Sequence, residues 1–164
     1  MLQNSNLHRS LLFFSIYFLS NFIINAQDIW QDVSESSIIS NNERYIIPAN
    51  YKTYAIDLEA LVDYLRNAPK EFSVDISGGG LPLFLPMPNG QMEQFSVVES
   101  SLMPNVLAEK FPNIKSYVGQ GVDDKTATLR MSVDHNGFHA MVISASETVY
   151  IDPYSLNDTE YCIS

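Results

Sequence analysis

The fold expected from this sequence is a single α+β domain, a mostly antiparallel sheet carrying two short helices, and three observations lead to it. In Thr126–Val133, residues Ala127, Leu129, Met131 and Val133 alternate with Thr128, Arg130 and Ser132. A period of two sets one face of a strand against a core and the other in water. Asn136-Gly137 follows at once, a dipeptide that suits a tight hairpin into Phe138–Ser144, and Thr148–Asp152 supplies a further strand. Upstream the period changes: Leu58, Leu61, Val62 and Leu65 fall at i, i+3, i+4 and i+7 behind Asp57, an N-cap residue, and Pro69 ends the stripe.

The remaining elements follow in order. Tyr51–Ile56 is β-branched and aromatic enough for a strand entering that helix. Phe72–Ile76 and Leu81–Met87 read as short strands around a Gly78-Gly79-Gly80 loop. Pro88-Asn89-Gly90 is a turn from which Gln94–Glu99 returns, making a hairpin. Pro104 opens a second short helix running to Lys110 and stopped by Pro112, and Gly119-Gln120-Gly121 reads as a loop.

The amino terminus sets the compartment. His8 and Arg9, the apolar run Leu11–Ile24 and the small residue Ala26 form the three parts of a secretory signal peptide over residues 1–26. The run holds Ser15, Ser20 and Asn21 and falls short of the roughly 20 residues a membrane span needs. Cleavage before Gln27 would remove Arg9 and no acid, leaving 8 bases against the 19 acids, a balance of −11. Such a charge excludes a phosphate-backbone ligand, which demands clustered Lys and Arg, and opposes an anionic membrane surface. The expected location is therefore secreted, periplasmic or at the cell surface. Residues 27–43, with four acids and no base, read as a flexible segment with Trp30 its one candidate anchor, and the folded region is expected to begin near Arg44.

A search for chemistry finds little. His135 and His139 have metal-ligand spacing only on a helix, and here they flank the hairpin dipeptide and read as strand or turn histidines. Asp123 and Asp124 are adjacent, and adjacent side chains on extended backbone point apart, so they make no acid/base pair and suit a loop. Ser132 and Ser144 lack the nucleophile-elbow motif. Cys162 is the only cysteine, so no internal disulfide forms. A thiol near the end of an exported chain could plug the open position of a catalytic zinc in another domain, and Cys162 is the one candidate metal ligand; the plain alternative is an incidental cysteine. No catalytic or cofactor-binding residue is assigned.

Several stretches resemble a known family. RYIIPANYKTYAIDLEALVDYLRNAP from Arg44, LPMPNGQMEQFSVVESSLMPNVLAEKFPNIKSYVGQG from Leu85, DDKTATLRMSV from Asp123, GFHAMV from Gly137 and TVYIDPYS from Thr148 are similar to the pro-domain of secreted bacterial reprolysin-like zinc metalloproteases of the metzincin class. The resemblance implies a pro-domain-like unit over residues 44–155, with 156–164 the start of a linker into a protease domain absent from this chain. It implies a non-catalytic partner that covers, inhibits and helps fold a zinc metalloprotease in cis or in trans. Zinc belongs to that protease, whose HExxHxxGxxH ligands are absent here, and TEYCIS around Cys162 does not match a cysteine-switch sequence. The other reading is a stand-alone secreted binding module or inhibitor.

Overall fold

The computed structural model describes residues 29–40, 42–101, 104–111 and 114–164. The expected signal peptide, with its cleavage point, lies outside the described residues, as does Pro112. Nine strands form one antiparallel sheet: β1 Trp30–Asp32, β2 Thr53–Ile56, β3 Leu81–Pro86, β4 Met92–Glu99, β5 Lys115–Gly121, β6 Thr128–Asp134, β7 Gly137–Ile143, β8 Thr148–Pro153 and β9 Tyr161–Ile163. Their order is β1-β2-β9-β8-β7-β6-β5-β4-β3. The helices are α1 Leu58–Leu65, the single turn α2 Ile76–Gly79, and α3 Asn105–Lys110.

Where the local pattern is strong, the chain follows it. Asp57 caps α1 by accepting the Ala60 N–H at 2.9 Å, and the apolar stripe buries Leu61 and Leu65 in the core. Leu129, Met131 and Val133 point inward from β6 while Thr128 and Arg130 are exposed. The hairpin after β6 closes one residue earlier than expected. Asp134 pairs with Gly137 and Val133 with Phe138, so His135 and Asn136 form the turn. The Asp134 carboxylate fixes it by accepting the Asn136 N–H at 2.7 Å.

Other expectations are corrected. Residues 27–43 are not uniformly flexible: Trp30–Asp32 pair with Tyr54–Ile56, and Ile29 and Trp30 are buried. The folded region therefore begins before Arg44. Nor are residues 156–164 a linker, because Tyr161–Ile163 insert between β2 and β8. Gly119 and Gly121 lie inside β5, where backbone approaches closely: a Cβ on Gly121 would sit 2.2 Å from the Asp124 carbonyl. Phe72–Ile76 is a turn leading into α2, whose first N–H groups are met by Asp75, which accepts from Ser77 at 2.9 Å. Of the triple glycine, Gly78 and Gly79 belong to α2 rather than to a loop.

The sheet curls until its two edges face each other, a near-barrel enclosing one core in which Trp30 meets Phe138 edge-on with ring centroids 5.3 Å apart. The seam between the edges is made by side chains. On β3 the carbonyls of Pro82, Phe84 and Pro86 share one parity, so they point the same way. They accept, in turn, from Tyr64 Oη at 2.5 Å, Trp30 Nε1 at 3.1 Å and Ser164 Oγ at 2.7 Å. Proline removes two of the three N–H groups on that edge, leaving Phe84 its only main-chain donor from 82 to 86. A polar edge that would otherwise template aggregation is thereby capped from within the chain.

Candidate functional site

The outer face of β5–β8 carries a polar row set by strand register. Ser116 lies opposite Ser132, and Ser132 opposite His139. On β8 the pairing of Ala140 with Ile151 brings Asp152 beside His139. His139 Nδ1 is 2.9 Å from Asp152 Oδ1, and that hydrogen bond holds the imidazole above its ordinary pKa against the opposing effect of burial. The row extends toward β4, where Ser116 Oγ donates to the Ser100 carbonyl at 2.5 Å and Ser100 Oγ donates to the Glu71 carboxylate. A trough of about 280 Å³ runs along it, with Arg130 and Tyr150 on its far side.

Ser132, His139 and Asp152 stand in the order of a hydrolytic triad, yet the chemistry does not assemble. No hydrogen bond joins Ser132 to His139 among the described residues. Ser132 also sits mid-strand between two paired neighbours, where ladder bonds occupy the main-chain N–H groups that an oxyanion would need. The row is a polar surface that can bind by hydrogen bonds.

Beyond the His139–Asp152 pair lies a second hollow, of about 380 Å³, bordered by Tyr45, Ile46, Pro153 and Leu156. Tyr45 and Ile46 belong to the stretch Glu43–Pro48, which lies outside every helix and strand. Glu43 anchors one end, its carbonyl accepting the Leu156 N–H at 2.9 Å. Arg44 is clasped next to it. Its guanidinium lies 4.2 Å from the Tyr154 ring centroid and 5.3 Å from that of Tyr51, and Nη1 is 2.5 Å from Glu35 Oε1. Both tyrosine hydroxyls donate to the Glu35 carboxylate, Tyr51 at 2.8 Å and Tyr154 at 3.1 Å, and with the Tyr51 bond foremost they hold Glu35 below its ordinary pKa. After this clasp the chain presents Tyr45, 67% exposed, and Ile47, 70% exposed. Among the described residues, 44–48 make no main-chain hydrogen bond to other main chain.

The residues singled out in the sequence are scattered. Cys162 lies in β9, fully buried and paired with Tyr54 and Pro153, and burial pushes its thiol pKa up. A thiol so placed reaches a metal in another domain only if β9 leaves the sheet. His135 is exposed in the β6–β7 turn. Asp123 and Asp124 lie between β5 and β6, where the Asp124 carboxylate accepts from Thr126 N and Oγ1 at 2.8 and 2.7 Å and ties the loop down. Ser144 bonds within its own turn, accepting from the Glu147 N–H at 3.2 Å. No group of three or more His, Cys, Asp or Glu able to hold a metal occurs among the described residues. No helix there is long and apolar enough to cross a membrane.

Sequence reasoning missed the His139–Asp152 pair and the Arg44 clasp. The first depended on register: a turn at Asn136-Gly137 would set His139 opposite Asp134, and only the observed turn at His135-Asn136 brings it level with Ser132. The second had no local signal, because Glu35, Arg44, Tyr51 and Tyr154 are brought together by the pairing of β2 and β8 with β9.

No protein-family model matches this chain, and no curated protein or solved structure matches it significantly.

Proposed function

We propose that this chain is a secreted, non-catalytic pro-domain that covers and inhibits a zinc metalloprotease, with the exposed segment Tyr45–Ile47 as the element that occupies the protease cleft. One observation carries the reading. Tyr45–Ile47 is apolar and exposed, lies outside every helix and strand, makes no main-chain hydrogen bond to other main chain among the described residues, and is gripped at its base by the Glu35–Arg44–Tyr51–Tyr154 clasp. An extended peptide binds by adding itself to a sheet edge, its main chain supplying affinity and its alternate side chains filling pockets. Anchoring Glu43 and Arg44 beside the segment reduces the ordering cost of association. Inhibition then comes from buried surface and strand contacts. Cys162 takes no part, since its thiol lies inside the sheet.

The test is inhibition of a mature reprolysin-like protease, followed with a fluorogenic peptide, by the chain beginning at Gln27. Tyr45→Asp and Ile47→Asp place charge on the inserting strand without touching the core, and each is expected to weaken inhibition at least about tenfold. Cys162→Val is expected to leave it intact. Undiminished inhibition by both aspartate variants would remove the segment from the interface, and failure of the unaltered chain to inhibit would remove the function.

A further inference from the structure

The Lys70–Ser73 turn holds a phenyl ring in water on a backbone that disfavours it. Phe72 is 92% exposed with φ of 66°, in the left-handed region that glycine adopts freely and bulky residues avoid. The turn is firmly built. Ser73 donates to the Lys70 carbonyl from its N–H at 3.0 Å and its hydroxyl at 2.5 Å. The Glu71 N–H donates to the Glu99 carbonyl and the Glu99 N–H to the Pro69 carbonyl, each at 2.8 Å, and the Glu71 carboxylate accepts from Ser100. Phe72 belongs neither to the core nor to the residues packed against it. A glycine would build this turn more cheaply, so nothing among the described residues explains a phenylalanine. A bulky residue both strained and exposed points to a partner that buries it.

We infer that Phe72 is a preformed anchor for a protein partner, its ring entering an apolar pocket whose rim is neutral or basic. Rigid aromatic anchors of this kind dominate binding energy and lose little freedom on association. Charge disfavours two occupants. Glu71 and Asp75 stand against Lys70 alone in the turn, and the chain as a whole carries −10. A second copy or an anionic bilayer would bring more negative charge to this spot. The occupant is the protease domain proposed above, and to that extent the inference rests on that reading.

The decisive variant is Phe72→Gly, because a structural role and an anchoring role move it in opposite directions. Glycine suits the backbone, so the melting temperature should hold or rise by roughly 2–4 °C. Inhibition of the mature protease should weaken about thirtyfold. A clear fall in melting temperature would make Phe72 structural and overturn the anchor whatever the protease does. Unchanged inhibition by the variant, with the unaltered chain still inhibiting, would overturn the anchor and leave the pro-domain reading standing. Absence of inhibition by the unaltered chain would overturn both. Sedimentation supplies the last arm: a dimer of the unaltered chain that Phe72→Gly dissolves would assign the ring to a second copy and reject the protease as occupant.

Discussion

From Lys115 to Pro153 the chain runs up and down through β5–β8, each strand hydrogen-bonded to its sequence neighbour. The sector formed by β1, β2 and β9 is built differently. Its strands have 3, 4 and 3 residues, come from distant parts of the chain, and are tied to the β3 edge by side chains, Trp30 and Ser164 on the Phe84 and Pro86 carbonyls, with Tyr64 of α1 on that of Pro82. The meander encodes its own pairing, because short turns and period-two patterning fix register locally. The closing sector depends on contacts across more than fifty residues, such as Trp30 to Phe84, and on the meander being already in place. Loop closure makes such contacts late and individually weak. The sector carrying the clasp and Tyr45–Ile47 is therefore the less self-sufficient part of the fold.

Substitutions can break this contrast, and the largest effect should come from Trp30→Ala. It removes the ring packed on Phe138 and the donor to the Phe84 carbonyl, and should cost about 3–5 kcal/mol in urea unfolding, as deep truncations do. A cost below about 1 kcal/mol would return Trp30 to the status of a loose anchor. Next comes Cys162. Cys162→Ser puts a hydroxyl into a fully buried site and should cost about 1–3 kcal/mol, while Cys162→Val should lie within about 1.5 kcal/mol of the parent. The native thiol should resist alkylation until denaturant is added; rapid labelling of folded protein would show β9 to be loosely held. Ser164→Ala removes one seam bond, to the Pro86 carbonyl, and should cost about 1 kcal/mol.

The smallest effect belongs to the outer row. His139 titrates above its ordinary 6.5 because of Asp152. A group whose folded pKa is raised stabilises fully below the unfolded value and loses that contribution as pH rises through the folded one. Stability should therefore fall slightly from about pH 6.5 upward. The His139 side chain is 42% exposed, so solvent screening limits the change to under about 1 kcal/mol. His139→Asn should flatten the slope, and an unchanged slope would assign it to other groups.

The sequence exposed what local physics decides. The Asp57 cap, the α1 stripe, the β6 alternation and the hairpin after it each follow from a few neighbouring residues, and the hairpin was displaced by one position only because Asp134 caps the turn. Three-residue strands were invisible. Tyr161-Cys162-Ile163 is too short to show a period, and Trp30 sits in an acidic stretch that reads as solvent-loving. Gly119 and Gly121 misled because glycine signals turns more often than close packing, yet here it admits Leu129 and the Asp124 carbonyl. For the candidate site, Cys162 drew notice by its chemistry while its burial depended on β9, a strand no local signal marked.

Native-state hydrogen exchange tests the contrast between the two regions most directly. Amides in β5–β7 should exchange only through global unfolding. Those of Lys52, Ile56 and Ser164, which bond to Ser164, Glu160 and Lys52 across the closing sector, should exchange through a partial opening about 1–3 kcal/mol lower. Equal protection in the two regions, with equal denaturant dependence, would mean that the near-barrel opens as one unit and would contradict the distinction drawn between them.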